Sequence, residues 1–147
     1  MINMECVIYQ TVDKIGVSLK KIKLIVFFVL EKEGVGGDLS LHFIGDRKMK
    51  TLNSLYRHKN KTTDVLSFAV GENEKFQDGA ADLGDIFVDV PHIRRQATQW
   101  EEKFETEMAR MIIHGILHIL GYDHIHKIEA KTMFSKQENY LELIGKL

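Results

Sequence analysis

The sequence predicts an α+β domain, a single small mixed β-sheet of about four strands packed with helices. Two observations predict it. Strand-like and helix-like segments follow one another in the order βαβαββααα, so the strands come early and a run of helices closes the chain. The 147 residues, 44% hydrophobic and 28% charged, suffice for one real core and one domain, 1–147, and lack the composition of a disordered chain.

VIYQTV, near the start, is rich in β-branched residues and reads as a short strand. Ile15, Leu19, Ile22, Val26 and Val29 are spaced by four, three, four and three, one face of a helix that Gly34, Gly36 and Gly37 end. In DLSLHFIG, Leu39, Leu41 and Phe43 alternate with Ser40 and His42, as in a strand with one buried face. A short helix carrying Met49, Leu52, Leu55 and Tyr56 comes next. VLSFAV and DIFVDV are two further strands, separated by the polar, glycine-bearing GENEKFQDGAADLG. Pro91 suits the first turn of a helix bounded at Asp89 or Val90. Thr98 and Glu101 form a capping-box pattern that should open a long helix through Trp100, Phe104, Met108 and Ile112. A last helix, from about Ile128 to Leu143, ends the chain.

Composition narrows the function classes. A net charge of -1 carries no global nucleic-acid signature, so any basic surface must be local. Cys6, the single cysteine, cannot form an internal disulfide and fits a reducing compartment. MINMECVIYQ lacks the charged and apolar regions of a secretory signal. LIVFFVL, residues 24 to 30, falls far short of the roughly 20 residues that span a bilayer. The expectation is a soluble cytoplasmic protein with no membrane partner.

The stretch HGILHILGYDH, from His114 to His124, carries the chemistry. Its histidines stand at positions one, five and eleven with glycine at eight, the ligand spacing of the long zinc-protease signature. Residues four apart lie one above the other on a helix, so His114 and His118 can aim two imidazoles at one point. Gly121 can end the helix in the left-handed conformation, letting the chain turn through Tyr122 and Asp123 and bring His124 back. The metal site expected at the end of this helix binds one Zn2+ per chain through His114, His118 and His124. Three neutral imidazoles leave a fourth position open, the pattern of a catalytic rather than a structural zinc. His126 competes with His124 for the third place, and the spacing favours His124. Asp123 and Asp85 are candidates to orient a ligand imidazole. In a zinc peptidase the residue after the first histidine is the glutamate base; here it is Gly115, which cannot act as one. A glycine inside a helix costs roughly 1 kcal/mol against alanine and suggests the close approach of another segment.

RKMKTLNSLYRHKNK, residues 47 to 61, holds six lysines or arginines and no acid. Such a strip can track a phosphate backbone, although most charge runs are only solvated surface. Within it Arg57 beside Tyr56 pairs a forked phosphate donor with a ring on which a base can stack.

HGILHILGYDH, with TDVLSF at Thr63 to Phe68, LGDI at Leu83 to Ile86 and YR at Tyr56 and Arg57, resembles the YbeY family of bacterial rRNA maturation endoribonucleases. The resemblance runs from about Leu39 to the C-terminus. It departs at Thr62, where family members often have proline. It implies a zinc-dependent RNase that acts on single-stranded RNA, in 16S rRNA 3′-end processing and ribosome quality control. The implied partners are the 16S rRNA precursor and the small ribosomal subunit or its assembly factors. It also implies His114, His118 and His124 as zinc ligands and Arg57 as the functional arginine, with Arg57 and His114 as the candidate catalytic residues. Two other classes stay open: a zinc peptidase or amidase, and a non-catalytic ribosome-associated module whose zinc pins the last helices.

Overall fold

The computed structural model describes residues 4–70, 82–122 and 125–147. Four strands, β1 (Met4–Gln10), β2 (Gly37–Ile44), β3 (Val65–Ala69) and β4 (Asp82–Asp89), form one sheet in the order β1-β2-β4-β3. The helices are α1 (Leu19–Lys32), α2 (Asp46–Arg57), α3 (Val90–Gln99), α4 (Phe104–Ile119) and α5 (Lys127–Gly145). β1, β2 and β4 run parallel and β3 joins β4 antiparallel, so the sheet is mixed and the α+β class expected from the sequence holds.

The alternation along β2 decides which side of the sheet is wet. Leu39, Leu41 and Phe43 are fully buried, while Asp38, Ser40 and His42 are only half-buried. The buried side meets Ile22, Val26 and Val29 of α1 and Met108, Ile112 and Ile116 of α4 in one core, which Met133 and Tyr140 of α5 extend. A smaller apolar cluster, Ile44, Met49 and Leu66 with Leu52, Phe68 and Phe87, seats α2 against the sheet. Burying a Leu, Ile or Phe side chain stabilises by about 1.5–3 kcal/mol, so the larger cluster carries most of the fold.

Two local expectations are corrected. Ile15 is buried but lies outside α1, and Leu19, at the first position of the helix, is 49% exposed. The helix starts only after Ser18, whose hydroxyl accepts from Lys21 N at 3.1 Å. Gly16 breaks the run with φ 89°, and a Cβ there would lie 2.7 Å from the Phe104 ring. The apolar period therefore spans a turn and a helix. Thr98 and Glu101 do not cap the histidine helix. Thr98 sits in the last turn of α3 and bonds back to Arg94 O at 3.1 Å, while Glu101 turns with φ 52°. α4 begins beyond them, after Lys103.

The boundary expected at Asp89 holds, and it carries an electrostatic cost. The Asp89 side chain caps α3, accepting from His92 N at 3.2 Å, with Pro91 in the first turn. It is fully buried, and its second oxygen meets no fixed donor among the described residues. Burial, reinforced by the neighbouring Asp46 carboxylate, pushes Asp89 up to about 7. Asp46 is held low because Arg95 donates to both its oxygens, at 2.9 and 3.0 Å. Asp89 therefore keeps its proton beside the Asp46 carboxylate well above the pH at which a free aspartate loses it.

A pH prediction follows from the sign of that shift. Above the ordinary aspartate value of about 3.9 the unfolded chain has lost this proton while the native state keeps it, so stability falls as pH rises toward neutrality. Asp89→Asn keeps a good helix cap and removes the titrating group. Urea midpoints should show the variant gaining on the wild type between pH 4 and pH 8; a constant difference across that range would refute the raised Asp89 value.

Candidate functional site

The site begins with a missing side chain. A Cβ on Gly115 would lie 3.1 Å from Ile86 Cγ2, 3.2 Å from Ile86 Cδ1 and 3.1 Å from Ser67 Oγ. The Ser67 hydroxyl also donates to Gly115 O at 3.3 Å. α4 thus lies against β3 and β4 so closely that a Cβ fits only if Ile86 and Ser67 give way by a few tenths of an ångström, the close approach that a glycine inside a helix had suggested. A glutamate at this position would press its Cβ on those same side chains.

His114 and His118, flanking that contact, line a cavity of about 200 Å³ with Arg57, Thr63, Asp64 and Ser67. Their ring centroids are 6.3 Å apart and the rings are inclined by 72°. Gly121, at φ 102°, ends the helix: its N–H reaches His118 O at 3.1 Å and Tyr122 N reaches Leu117 O at 3.0 Å. His124 and Asp123 lie outside the described residues, as does most of the polar segment between β3 and β4. Among the described residues no three histidine, cysteine or acidic side chains come together as a metal set.

Arg57 is the last residue of α2, exposed, and without a salt bridge to Asp64 or Asp85. A second cavity, of about 400 Å³, shares Arg57, Thr63 and Asp64 with the first and adds Lys59, Lys61 and His92. Thr62, on its wall, also belongs to a groove of about 880 Å³ along α2 that includes Arg47, Lys50 and His58. The basic strip therefore opens onto the histidine cavity. The loop after Arg57 is tied down rather than loose. Asn53 Nδ2 donates to Lys61 O at 2.9 Å, and Thr62 Oγ1 meets His92 Nδ1 at 2.8 Å.

The residues that sequence reasoning missed are those that hold the cavity from behind. His114 Nδ1 lies 2.7 Å from Gln137 Oε1, and Gln137 Nε2 donates to Glu138 at 3.2 Å. That second bond fixes which amide atom is oxygen, so Nδ1 bears the proton and Nε2 the lone pair. The chain of bonds continues. Arg110 links Glu138, at 3.1 Å, to the buried Glu107, at 2.6 Å, and Gln96 bridges Glu107 and Asp64 at 3.2 Å each. It ends where it started, because Asp64 lines the same cavity as His114. One signal was available. Gln137 stands in an apolar stripe with Met133, Tyr140 and Ile144, where an amide has no business unless it has a partner.

Asp85 is not in this network. Its carboxylate lies 2.8 Å from His42 Nε2, on the other side of the sheet, so its expected role beside a ligand imidazole is withdrawn. The direction of alternation, which a strand pattern alone leaves unassigned, turns it away. His126 caps α5 through its backbone and is exposed.

Fold and cleft together define a class: a small α+β protein with two helix-borne imidazoles and a guanidinium around one polar, cation-rimmed cleft. Residues 8–145 match the family model described as Endoribonuclease YbeY, and the chain belongs to that family. It is 44% identical over 115 residues to the Endoribonuclease YbeY of Halalkalibacterium halodurans, covering 74% of this chain and 72% of that one. With the Endoribonuclease YbeY of Desulforamulus reducens it shares 40% identity over 132 residues, 86% of each chain. A solution structure from Thermotoga maritima superposes with a TM-score of 0.65 at 28% identity, over 98% of this chain and 89% of that one.

The packing at Gly115 makes a stability prediction. Alanine there gains about 1 kcal/mol of helix propensity but drives a methyl into Ile86 on a central strand, and overpacking of that kind costs about 1–3 kcal/mol. Gly115→Ala should therefore lower the denaturation midpoint; a raised midpoint would mean that α4 has slack against the sheet.

Proposed function

We propose that this chain is a zinc-dependent endoribonuclease that cleaves single-stranded RNA, acting in 16S rRNA 3′-end maturation and ribosome quality control in the cytoplasm. Family membership supports RNA cleavage. The observation that carries the reading is the convergence of Arg57 with His114 and His118 in one cavity that continues into a groove edged by Lys59 and Lys61.

The two imidazoles in the cavity are donors of the type zinc takes. His114 and His118 stand four apart on one helix, and the Gln137 bond gives His114 the tautomer whose Nε2 can ligate. His124 is the proposed third ligand. Zinc bound there supplies Lewis-acid polarisation of a phosphoryl oxygen and lowers the pKa of water. The other work falls to the chain's own groups. Arg57 offers a rigid fork of N–H donors to the non-bridging oxygens of the scissile phosphate, where charge builds in the transition state. Lys59 and Lys61 hold a flanking phosphate, and the single-stranded backbone follows the α2 groove past Lys50 and Arg47.

The ligand spacing also suits a peptidase, but Gly115 cannot supply the base, and a Cβ in its place would crowd Ile86 and Ser67. A zinc-stabilised ribosome-associated module without catalysis is the third reading. Purified protein with and without added zinc, assayed on single-stranded RNA and on casein-derived peptides, separates all three. RNA cleavage lost on chelation supports the proposal; peptide cleavage, or neither, rejects it.

Two variants test the division of labour. Arg57→Lys should keep fold, zinc and most RNA affinity yet cleave about 10²–10³-fold more slowly under saturating single-turnover conditions, the loss expected for one oxyanion donor. Wild-type rates would leave Arg57 as one more phosphate contact. Replacing Lys48, Lys50, Lys59 and Lys61 by alanine should weaken RNA binding and flatten the plot of log affinity against log salt, since fewer counterions are released. An unchanged slope would return the strip to ordinary solvated surface.

A further inference from the structure

Behind the histidine helix one carboxylate gathers three elements. The Glu33 side chain, 7% exposed at the end of α1, accepts from Tyr122 OH at 2.6 Å, from Lys136 Nζ at 2.9 Å and from Tyr140 OH. Tyr122 is the residue that leaves α4 just before Asp123 and His124, while Lys136 and Tyr140 belong to α5. Lys136 Nζ also stands 5.2 Å from the Tyr122 ring centroid and 6.0 Å from that of Tyr140. Burial pushes the Glu33 carboxyl up, but the hydrogen bonds from Tyr122, Tyr140 and Lys136 together outweigh it and hold the group below the usual carboxylate range. The acceptor is thus charged at neutral pH, and each bond to it is of the strong, charge-assisted kind.

The cluster explains more than packing. Tyr122 is fixed twice, by its backbone N–H on Leu117 O at 3.0 Å and by its hydroxyl on Glu33. A glycine cap alone sets where a chain leaves a helix but not where it points two residues later. The adjacent residue on α5, Gln137, is the one whose amide holds His114 Nδ1. We infer that Glu33 is a positioning residue for the metal site, holding on one carboxylate both the segment that leads to His124 and the helix that carries Gln137. The inference rests on the zinc reading above and names a residue 81 positions before His114, which no motif would select.

Zinc affinity of the full chain, measured by competition with a chromogenic chelator, tests it alongside thermal melting of the metal-free protein. Glu33→Gln keeps the shape and loses the charge; Tyr122→Phe keeps Lys136 and Tyr140 on Glu33 and cuts only the tie to the exit segment. Both should bind zinc about 10–100-fold more weakly, the usual effect of removing a group that orients a ligand. Tyr140→Phe takes a hydroxyl from the same carboxylate but leaves Lys136 to hold α5 on Glu33 and does not touch the exit segment, so it should bind zinc as the wild type does even where it melts lower. Equal weakening in all three, in step with melting temperature, would reduce Glu33 to a structural tie and overturn the inference. So would wild-type affinity in Glu33→Gln and Tyr122→Phe while His118→Ala loses its zinc. If His118→Ala itself keeps zinc, it is the metal site that fails. Should Glu33→Gln not fold, Tyr122→Phe against Tyr140→Phe still decides.

Discussion

The closeness of α4 to the sheet at Gly115 is the constraint on which the site depends. A helix residue advances about 100° per position, so a side that buries residue 115 against β3 and β4 turns residues 114 and 118 toward its edge. There they meet Thr63, Asp64 and Ser67, the leading residues of β3 and of the segment before it. Any larger residue at 115 would press on the Ile86 and Ser67 side chains that this contact packs against. The penalty of a helical glycine, about 1 kcal/mol, is small beside the burial of Ile112, Ile113, Ile116 and Leu117 that the close contact allows. The histidine pair is therefore placed by an apolar contact, with no polar group of the site needed to bring it there.

Orientation is a separate problem, and the polar groups solve it. A buried amide or carboxylate is tolerated only when its partners are supplied, and a network left half satisfied is worse than none. Glu107 is 3% exposed and is answered by Arg110 and Gln96; Gln137 is 4% exposed and is answered by His114 and Glu138. A rotation of the imidazole would leave Gln137 Oε1, buried and held in this network, without its donor. Such a network stiffens the cavity walls in the plane where the apolar core does not.

These two mechanisms explain what was legible in the sequence. Apolar periodicity and helix-ending glycines are local signals, so the order of elements, the mixed sheet, the end of α4 at Gly121 and the close contact at Gly115 could all be read from the residues. Local signals also misled where two structures share a pattern. Ile15 continues the spacing of α1 from within a turn, and the Thr98–Glu101 pair resembles a cap while lying in the end of α3 and the turn after it. Asp85 was near the histidines in every sense except the face of the strand it occupies. The partners of Glu33 and Gln137 were beyond reach for a different reason, even though the apolar stripe marked Gln137 itself. Each of the two residues owes its role to partners brought together by the fold, across 89 and 23 positions of chain, and neither stands in a pattern that announces a partner's identity.

The distribution of charge follows the same logic of local placement. A net charge of -1 gives an anionic substrate no long-range attraction, and fields fade over about 8 Å at physiological ionic strength. The cleft must therefore carry its own cations at short range. Helix dipoles do not supply them: Arg57 sits at the C-terminal end of α2, where the backbone presents carbonyls and repels a phosphate. A positive residue at that end is favoured by the helix itself, and among the described residues the exposed Arg57 guanidinium at the rim forms no salt bridge. The Asn53 bond to Lys61 O then folds the next cations back beside it. If Arg57 binds the substrate phosphate as proposed, helix stability and anion recognition call for the same side chain at the same place, and an acidic residue at 57 would oppose both.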